Sequence, residues 1–161
     1  MKRVILFLFL IFCIPAQASV ELYFSPYDNV EDQWIRVINT AEKSIKISCF
    51  GLTNERIYNA LVEKRKQGIK VLVCEDKMQS GSRHDYRDRM KQKNIEVVVK
   101  KVQVLEHNKM LAVDDKSAII GSWNLSGNAQ KQDNSVVVMM YEPELAGKVD
   151  DAIDRIWERD K

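Results

Sequence analysis

Three side chains that can take part in phosphate-ester chemistry stand close together in the second half of the sequence. His107 and Lys109 lie two positions apart in a run of strand-like residues, and Asn124 follows after a Gly-Ser-Trp triplet. Because side chains alternate between the faces of a strand, His107 and Lys109 point the same way and Asp114 points the other way. A nucleophilic imidazole beside an ammonium group is suited to attack on a phosphodiester. The alternative is that both residues are ordinary polar side chains of a strand.

Apolar runs on both sides of Asp115 and Lys116 are typical of a β-hairpin with a two-residue turn. That turn length sets the following cross-strand pairs: Asp114 with Ser117, Lys109 with Ser122, and His107 with Asn124. A nucleophile, a cation, a hydroxyl and an amide then converge at the open end of the hairpin, where Gly121 gives close access to the backbone. A longer turn would shift this register. Asp114 is on the order of 20 Å from His107 along an extended strand, and we expect it not to touch the phosphate.

The spacing of these residues resembles the HxKxxxxD and GSxN motifs of the phospholipase D superfamily. The matching positions are His107, Lys109, Asp114, Gly121, Ser122 and Asn124. The resemblance extends over about residues 20 to 160 and is closest to the small bacterial Nuc-type endonucleases, which carry one motif per chain. It implies that His107 attacks phosphorus to give a phosphohistidine, which water then hydrolyses. It also implies that Lys109, Ser122 and Asn124 bind the phosphoryl oxygens.

The family also has an acidic residue followed by asparagine, whose carboxylate orients the histidine. Asp133 and Asn134 occupy that place, with aspartate where glutamate is common. The resemblance therefore implies that Asp133 orients His107. Asp114 is a catalytic-motif member by resemblance, but the strand geometry makes it a structural residue at the hairpin turn.

The reaction needs a second group to protonate the leaving oxygen and then activate water. The only other histidine is His84, which lies in a polar loop. A second His107 from a partner chain is the simpler source, so we predict a homodimer with the two motifs face to face. Trp123 could pack in that interface, stack a nucleic-acid base, or belong to the core.

The elements that position these residues predict an α/β fold with a mixed, largely parallel β-sheet sandwiched between helices, as in the phospholipase D-like fold. Strand, helix and strand within about 30 residues from position 44 indicate a parallel βαβ unit. Predicted strands cover residues 20–24, 44–50, 71–74, 95–99, 107–113, 117–121 and 134–141. Predicted helices cover residues 29–43, a segment capped by Thr53 that stops at Gly68, residues 83–93, and a closing helix from Pro143.

The first 18 residues have the layout of a secretory signal peptide, with Lys2 and Arg3 before an apolar run and small residues up to Ala18. Cleavage there leaves residues 19–161 as the phosphodiesterase domain, periplasmic or secreted, with no stable membrane association. The alternative is a retained membrane anchor. The chain has 25 basic and 23 acidic residues. Loss of Lys2 and Arg3 therefore leaves a mature protein without net charge.

Cysteine and histidine usage argues against a metal site. Cys49 and Cys74 remain after cleavage, both near the ends of predicted buried strands. They could form a disulfide if the strands are neighbours, and two buried thiols are the alternative. Two histidines without CxxC or HExxH spacing give no zinc signature, so we expect metal-independent chemistry without a cofactor.

Basic residues concentrate just upstream of the motif, where residues 60–110 hold thirteen Lys or Arg against seven Asp or Glu. This excess predicts contacts to a nucleic-acid backbone without sequence readout, although an inert solvated face is the alternative. The basic residues closest to the motif are Arg83, Arg87, Arg89, Lys91, Lys93, Lys100 and Lys101.

An endonuclease acting on DNA or RNA is the function that the sequence favours. The first alternative is a phospholipase D-type lipid phosphodiesterase, which needs an apolar patch beside the site; the sequence shows none after the signal peptide. The second is a non-catalytic nucleic-acid binder. The intact set of His107, Lys109 and Asn124 argues against it, because a binder needs no nucleophile.

Overall fold

The computed structural model describes residues 17–78, 85–100 and 105–161. Most of the predicted signal peptide therefore lies outside the described residues, as do Arg83, His84 and Lys101. Within the described ranges, no helix has the length and apolar character needed to cross a membrane.

Seven strands form a single sheet. They are β1 (Ser19–Ser25), β2 (Ser44–Cys49), β3 (Lys70–Glu75), β4 (Glu96–Val99), β5 (Lys109–Val113), β6 (Ser117–Gly121) and β7 (Asn134–Met140). Across the sheet the order is β1-β7-β6-β5-β2-β3-β4. The predicted strands are therefore confirmed to within a few residues at their ends.

The sheet is mixed, as predicted, but most of its described ladders are antiparallel. β2 pairs with β3 and β3 with β4 in parallel, whereas β1–β7, β7–β6, β6–β5 and β5–β2 are antiparallel. The prediction of a largely parallel sheet missed this balance. Parallel neighbours need a long crossover, and only the first half of the chain supplies helices for one; β5 and β6 are joined by a tight hairpin.

Helices cover both faces of the sheet, as predicted. They are α1 (Val30–Asn39), α2 (Glu55–Lys66), α3 (Arg87–Gln92) and α4 (Pro143–Asp160). Asn54, rather than the predicted Thr53, caps α2, because its side-chain oxygen accepts a hydrogen bond from the amide of Ile57 at 3.0 Å.

Two apolar clusters hold the layers together. The larger cluster lies between the sheet and α1 and α2, and the smaller one lies under α4. Cys49 belongs to the first and Cys74 to the second. β2 and β3 are neighbours, but Cys74 is in register with Ser48, so the two thiols point to opposite faces and stay unbridged.

Candidate active site

The β5–β6 hairpin turns through three residues, not the predicted two. Val113 pairs with Ser117, and the intervening Asp114 and Asp115 both have a φ of 56°, in the left-handed region. The register is therefore shifted by one residue and, continued beyond the ladder, sets Gly121 opposite Lys109. The predicted pairs Asp114–Ser117, Lys109–Ser122 and His107–Asn124 were wrong for this reason.

The carboxylate of Asp114 explains the longer turn. It accepts hydrogen bonds from the backbone amides of Glu42, Lys43 and Ser44 at 2.7, 2.9 and 2.7 Å. These bonds draw Asp114 out of β5 and fasten the turn to the start of β2. Asp114 lies at the opposite end of β5 from Lys109, where its contacts are those of a structural residue.

The end of the sheet where β2 and β3 finish and β5 begins, here called the site edge, carries His107 and Lys109. Lys109 is only 4% exposed, and its Nζ donates a hydrogen bond to the carbonyl oxygen of His107 at 2.7 Å. Burial lowers the pKa of Lys109. His107 is exposed, and its ring meets the ring of Phe50 edge-on at 5.5 Å. The site edge thus combines an accessible imidazole with a mostly buried amine that is bonded to the backbone of the same histidine.

Ser122 and Asn124 reach the site edge from β6. The hydroxyl oxygen of Ser122 accepts a hydrogen bond from the amide of Ser135 at 3.0 Å, which ties it to β7. Asn124 is half-buried, and its backbone carbonyl oxygen accepts a hydrogen bond from the backbone amide of Ser126 at 2.8 Å. Between them, Trp123 is fully buried and packs against Trp34 with ring centroids 6.0 Å apart. Trp123 is therefore a core residue and not a base-stacking or interface residue.

Gly121 is required by the neighbouring strand. A Cβ atom at this position would lie 2.2 Å from the carbonyl oxygen of Ser135 and 2.8 Å from the Cα of Val136. From the sequence, we expected Gly121 to give close access to the backbone at the site. In the structure, a glycine is needed here because the β7 backbone approaches so closely.

Asp133 is exposed and lines an open depression of about 370 Å³ beside Ser122. Within the described part of the chain, no hydrogen bond joins its carboxylate to His107. The orienting role of Asp133 therefore stays a prediction, and among the described residues it is Phe50 whose ring meets the ring of His107.

Glu106 is a site-edge residue that the sequence analysis missed. Its buried carboxylate accepts hydrogen bonds from the hydroxyl of Ser48 at 2.9 Å and the side-chain amide of Asn108 at 2.6 Å. Its own amide donates to Asp76 at 2.7 Å. Glu106 thus anchors the entry to β5 on the α4 face, while Lys109 belongs to the other face. An acidic residue directly before the histidine was the available signal.

Two residues of the predicted backbone-binding set are less accessible than expected. Lys100 is buried, with its Nζ 3.7 Å from a carboxylate oxygen of Glu106. It does not lie on a surface that nucleic acid can follow. Arg87 is half-buried and forms an ion pair with Asp88 at 3.2 Å. Of the basic residues in the described range 85–100, Arg89, Lys91 and Lys93 are exposed.

An apolar patch lies beside the depression, contrary to the sequence-based expectation. Val20, Leu22 and Phe24 alternate along β1 and face away from the core, and Leu22 is 61% exposed. Ile120 of β6 is exposed on the same face of the sheet. The alternation of β1 is visible in the sequence, but the sequence does not show that its apolar face stays uncovered.

Across the described ranges, no group of three or more His, Cys, Asp or Glu residues is arranged to hold a metal ion. The residues at the site edge instead offer an imidazole, a lysine amine, a hydroxyl and an amide. This donor set suits binding and nucleophilic attack on a phosphoryl group.

The family model of the cardiolipin synthase PLD-like domain matches residues 34–157, which include both β5 and β6. This chain belongs to the phospholipase D superfamily. Phospholipase D of Rickettsia conorii is 27% identical to it over 131 residues, covering 81% of this chain and 66% of the relative. This chain thus spans just under two thirds of the length of that relative.

Solved structures share the fold. Nuc from Salmonella typhimurium, a phospholipase D family member, superposes with a TM-score of 0.83 at 23% identity, covering 90% of this chain and 97% of Nuc. NucT from Helicobacter pylori gives a TM-score of 0.80 at 21% identity, covering 89% and 98%. The predicted superfamily membership and phospholipase D-like fold are therefore confirmed.

Proposed function

We propose that this chain is an exported, metal-independent phosphodiesterase that cleaves nucleic acid internally, through a phosphohistidine on His107 in a homodimeric site. The observation that carries the proposal is the pairing of an exposed His107 with a buried Lys109 bonded to its carbonyl oxygen. That bond fixes the amine against the backbone of His107. A cation in a poorly hydrated position acts strongly on phosphoryl oxygens, because little water screens it.

The site edge of one chain supplies the nucleophile and the phosphate-binding groups of the proposed reaction, but not the acid that protonates the leaving oxygen. A ring nitrogen of His107 attacks phosphorus and the bond to the leaving oxygen breaks, with Lys109 and Asn124 binding the phosphoryl oxygens. A second group gives the leaving oxygen its proton. It later takes a proton from a water molecule, whose oxygen attacks phosphorus and breaks the phosphorus–nitrogen bond to His107. In the proposal this group is the second His107 of the dimer.

The apolar patch of β1 and β6 supports a dimer. Exposed apolar side chains in one contiguous area mark contact surfaces, and this area borders Ser122 and Asp133. In the proposal, a second copy sits on this patch and shares the site edge. A two-fold contact of this kind presents the same residues from both chains.

The exposed basic residues support nucleic acid as the substrate. Arg89 lies over the stacked rings of Tyr58 and Tyr86, 5.4 and 5.0 Å from their centroids. The amide of Tyr86 donates to the carbonyl oxygen of Leu52, so α3 begins near the site edge. Lys91 of the same helix is exposed too. These cations can bind backbone phosphates on either side of the scissile bond.

Circular DNA gives the direct test. Mature protein should nick single- or double-stranded circles in EDTA, and His107→Ala should abolish nicking. His84→Ala serves as the matched control, because it replaces the other histidine and should leave nicking intact. Cleavage that EDTA abolishes, or that survives in His107→Ala, would refute the proposed mechanism.

A lipid phosphodiesterase is the second candidate, and the apolar patch favours it. The patch borders the depression beside Ser122, where a lipid surface would present its headgroup. The relative in Rickettsia conorii carries the name phospholipase D. Release of headgroup from phosphatidylcholine or cardiolipin vesicles, without nicking of DNA, would select this function over the nuclease.

A further inference from the structure

Glu75 is a buried carboxyl group at the end of β3 that the proposed reaction leaves unused. It is 1% exposed, and its Oε1 accepts a hydrogen bond from the amide of Leu52 at 3.0 Å. Its Oε2 is buried and has no hydrogen-bond partner among the described residues. In the sheet it is in register with Cys49, which in turn pairs with Lys109. Glu75 therefore belongs to the row of residues that ends at the site.

The loop that Glu75 holds touches both halves of the site. Phe50, at its start, packs against the ring of His107. At its end, the amides of Thr53 and Asn54 donate to the carbonyl oxygen of Leu125 at 2.9 and 3.0 Å. Leu125 follows Asn124 directly. Residues 50–54, here called the bridging loop, thus connect the His107 side of the site to the Asn124 side, with Glu75 bonded to its middle.

We propose that Glu75 is a positioning residue, which in its uncharged form sets the bridging loop and, through it, His107 and Asn124. An uncharged carboxyl tolerates a buried oxygen with no partner, whereas a carboxylate in the same place draws in water or cations. Ionisation therefore moves the loop, and the loop moves the ring that contacts His107.

The surroundings of Glu75 favour its protonated form. Burial and the nearby Asp85 raise its pKa to about 8, although the amide of Leu52 and the cations Arg87 and Lys91 act in the opposite direction. Cys49 is the titratable neighbour on β2. Among the described residues, Glu75 thus has Asp85 and Cys49 on one side of the balance and Arg87 and Lys91 on the other, and the switch falls near pH 8.

The resonances of the His107 ring test this in the folded protein without any substrate. In ¹³C-histidine-labelled protein, the His107 ring signal should shift with a midpoint near pH 8, and the shift should vanish in Glu75→Gln. Glu96→Gln, which removes an exposed carboxyl from β4, should keep it. Persistence of the shift in Glu75→Gln, or its absence from the wild type, would overturn the proposal.

Direct titration of wild-type Glu75 makes the result independent of how the variant folds. Its ¹³C carboxyl resonance should change near pH 8, and a midpoint near the ordinary value for glutamate contradicts the proposal. The catalytic consequence rests on the proposed function. With bis(p-nitrophenyl) phosphate, kcat should fall about tenfold from pH 7 to pH 9 with little change in KM, as expected for one ionisation, and Glu75→Gln should remove that fall.

The two proposals fail in different ways. Absence of phosphodiesterase activity at every pH would sink the proposed function, while the His107 and Glu75 resonances would still decide the role of Glu75. Activity with an unchanged high-pH decline in Glu75→Gln would sink the positioning role alone.

Discussion

The side-chain nitrogen of Lys109 lies 2.7 Å from the carbonyl oxygen of His107, so the lysine is fixed by the backbone of the histidine. This geometry leaves two further protons of the ammonium group for a phosphate. Because both partners belong to the same strand entry, a displacement of one displaces the other. The histidine and the lysine therefore act as one unit.

Replacement of Lys109 should separate activity from stability. We expect Lys109→Met to lower kcat by about 10² to 10³, because it removes a cation at the phosphoryl oxygens. The free energy of unfolding should fall little or rise, because a mostly buried amine is replaced by an apolar chain of similar length. Rates and urea unfolding on the same samples check this. A variant that loses both together would show that Lys109 is mainly structural.

Asp114 should behave in the opposite way. Asp114→Ala removes the acceptor of three backbone amides, and we expect the free energy of unfolding to drop by about 2 to 4 kcal/mol. Asp114→Asn keeps one oxygen acceptor and tolerates the left-handed φ, so it should lose less. Activity per folded molecule should stay within a few-fold of wild type in both. A large loss of kcat in a fully folded Asp114→Asn would place Asp114 in the chemistry.

Gly121→Ala tests the close approach of β7. The added methyl group meets backbone atoms that cannot move aside cheaply, so we expect destabilisation by about 1 to 3 kcal/mol. Gly127→Ala is the matched control, because a Cβ there meets nothing within 4 Å. Equal thermal midpoints for the two variants would contradict the geometry of the β6–β7 pair.

Glu75 should make stability depend on pH. Its pKa is raised from 4.5 to about 8 in the folded protein, so the folded state holds a proton that the unfolded chain releases. The contribution of Glu75 to stability is therefore fully present below pH 4.5 and is lost as pH rises to 8. Glu75→Gln lacks this loss. The difference in free energy of unfolding between the variant and wild type should therefore move in favour of the variant by about 2 to 4 kcal/mol between pH 5 and pH 8. Urea unfolding at both pH values measures it, and a constant difference would argue against a raised pKa.

A charge on β1 should break the proposed dimer. We expect Leu22→Glu to shift the protein from dimer to monomer in analytical ultracentrifugation and to lower activity with the loss of the second His107. Lys70→Glu is the control: it changes a charge at the far end of β3 and should alter neither the oligomeric state nor the activity. An active monomer would show that one chain suffices, and vesicle binding lost in Leu22→Glu would point to lipid.

The sequence was informative where a residue's role depends on its near neighbours. The alternation of β5 and β6 and the βαβ unit were predictable, since each is a local pattern of apolar residues. The hairpin register was not, because Asp114 adopts its conformation to bind residues 42–44. That contact depends on α1 and β2 being in place.

The burial of two carboxyl groups could not be predicted from local sequence patterns either. Glu75 and Glu106 end or flank apolar runs, where an acidic residue ordinarily marks the point at which a strand reaches solvent. The structure buries both, because the bridging loop and α4 close over the site edge. Whether a polar residue at a strand end is covered depends on the loops, which periodicity does not describe.

The contact between Trp34 and Trp123 gives the protein an intrinsic optical probe of its own site. The two buried indoles, 6.0 Å apart, are close enough for their electronic transitions to couple, and Trp123 is the covalent neighbour of Asn124. Near-ultraviolet circular dichroism should therefore report the seating of the asparagine segment without any label. Trp157 lies on the other side of the sheet, so its signal should stay constant when the asparagine segment moves.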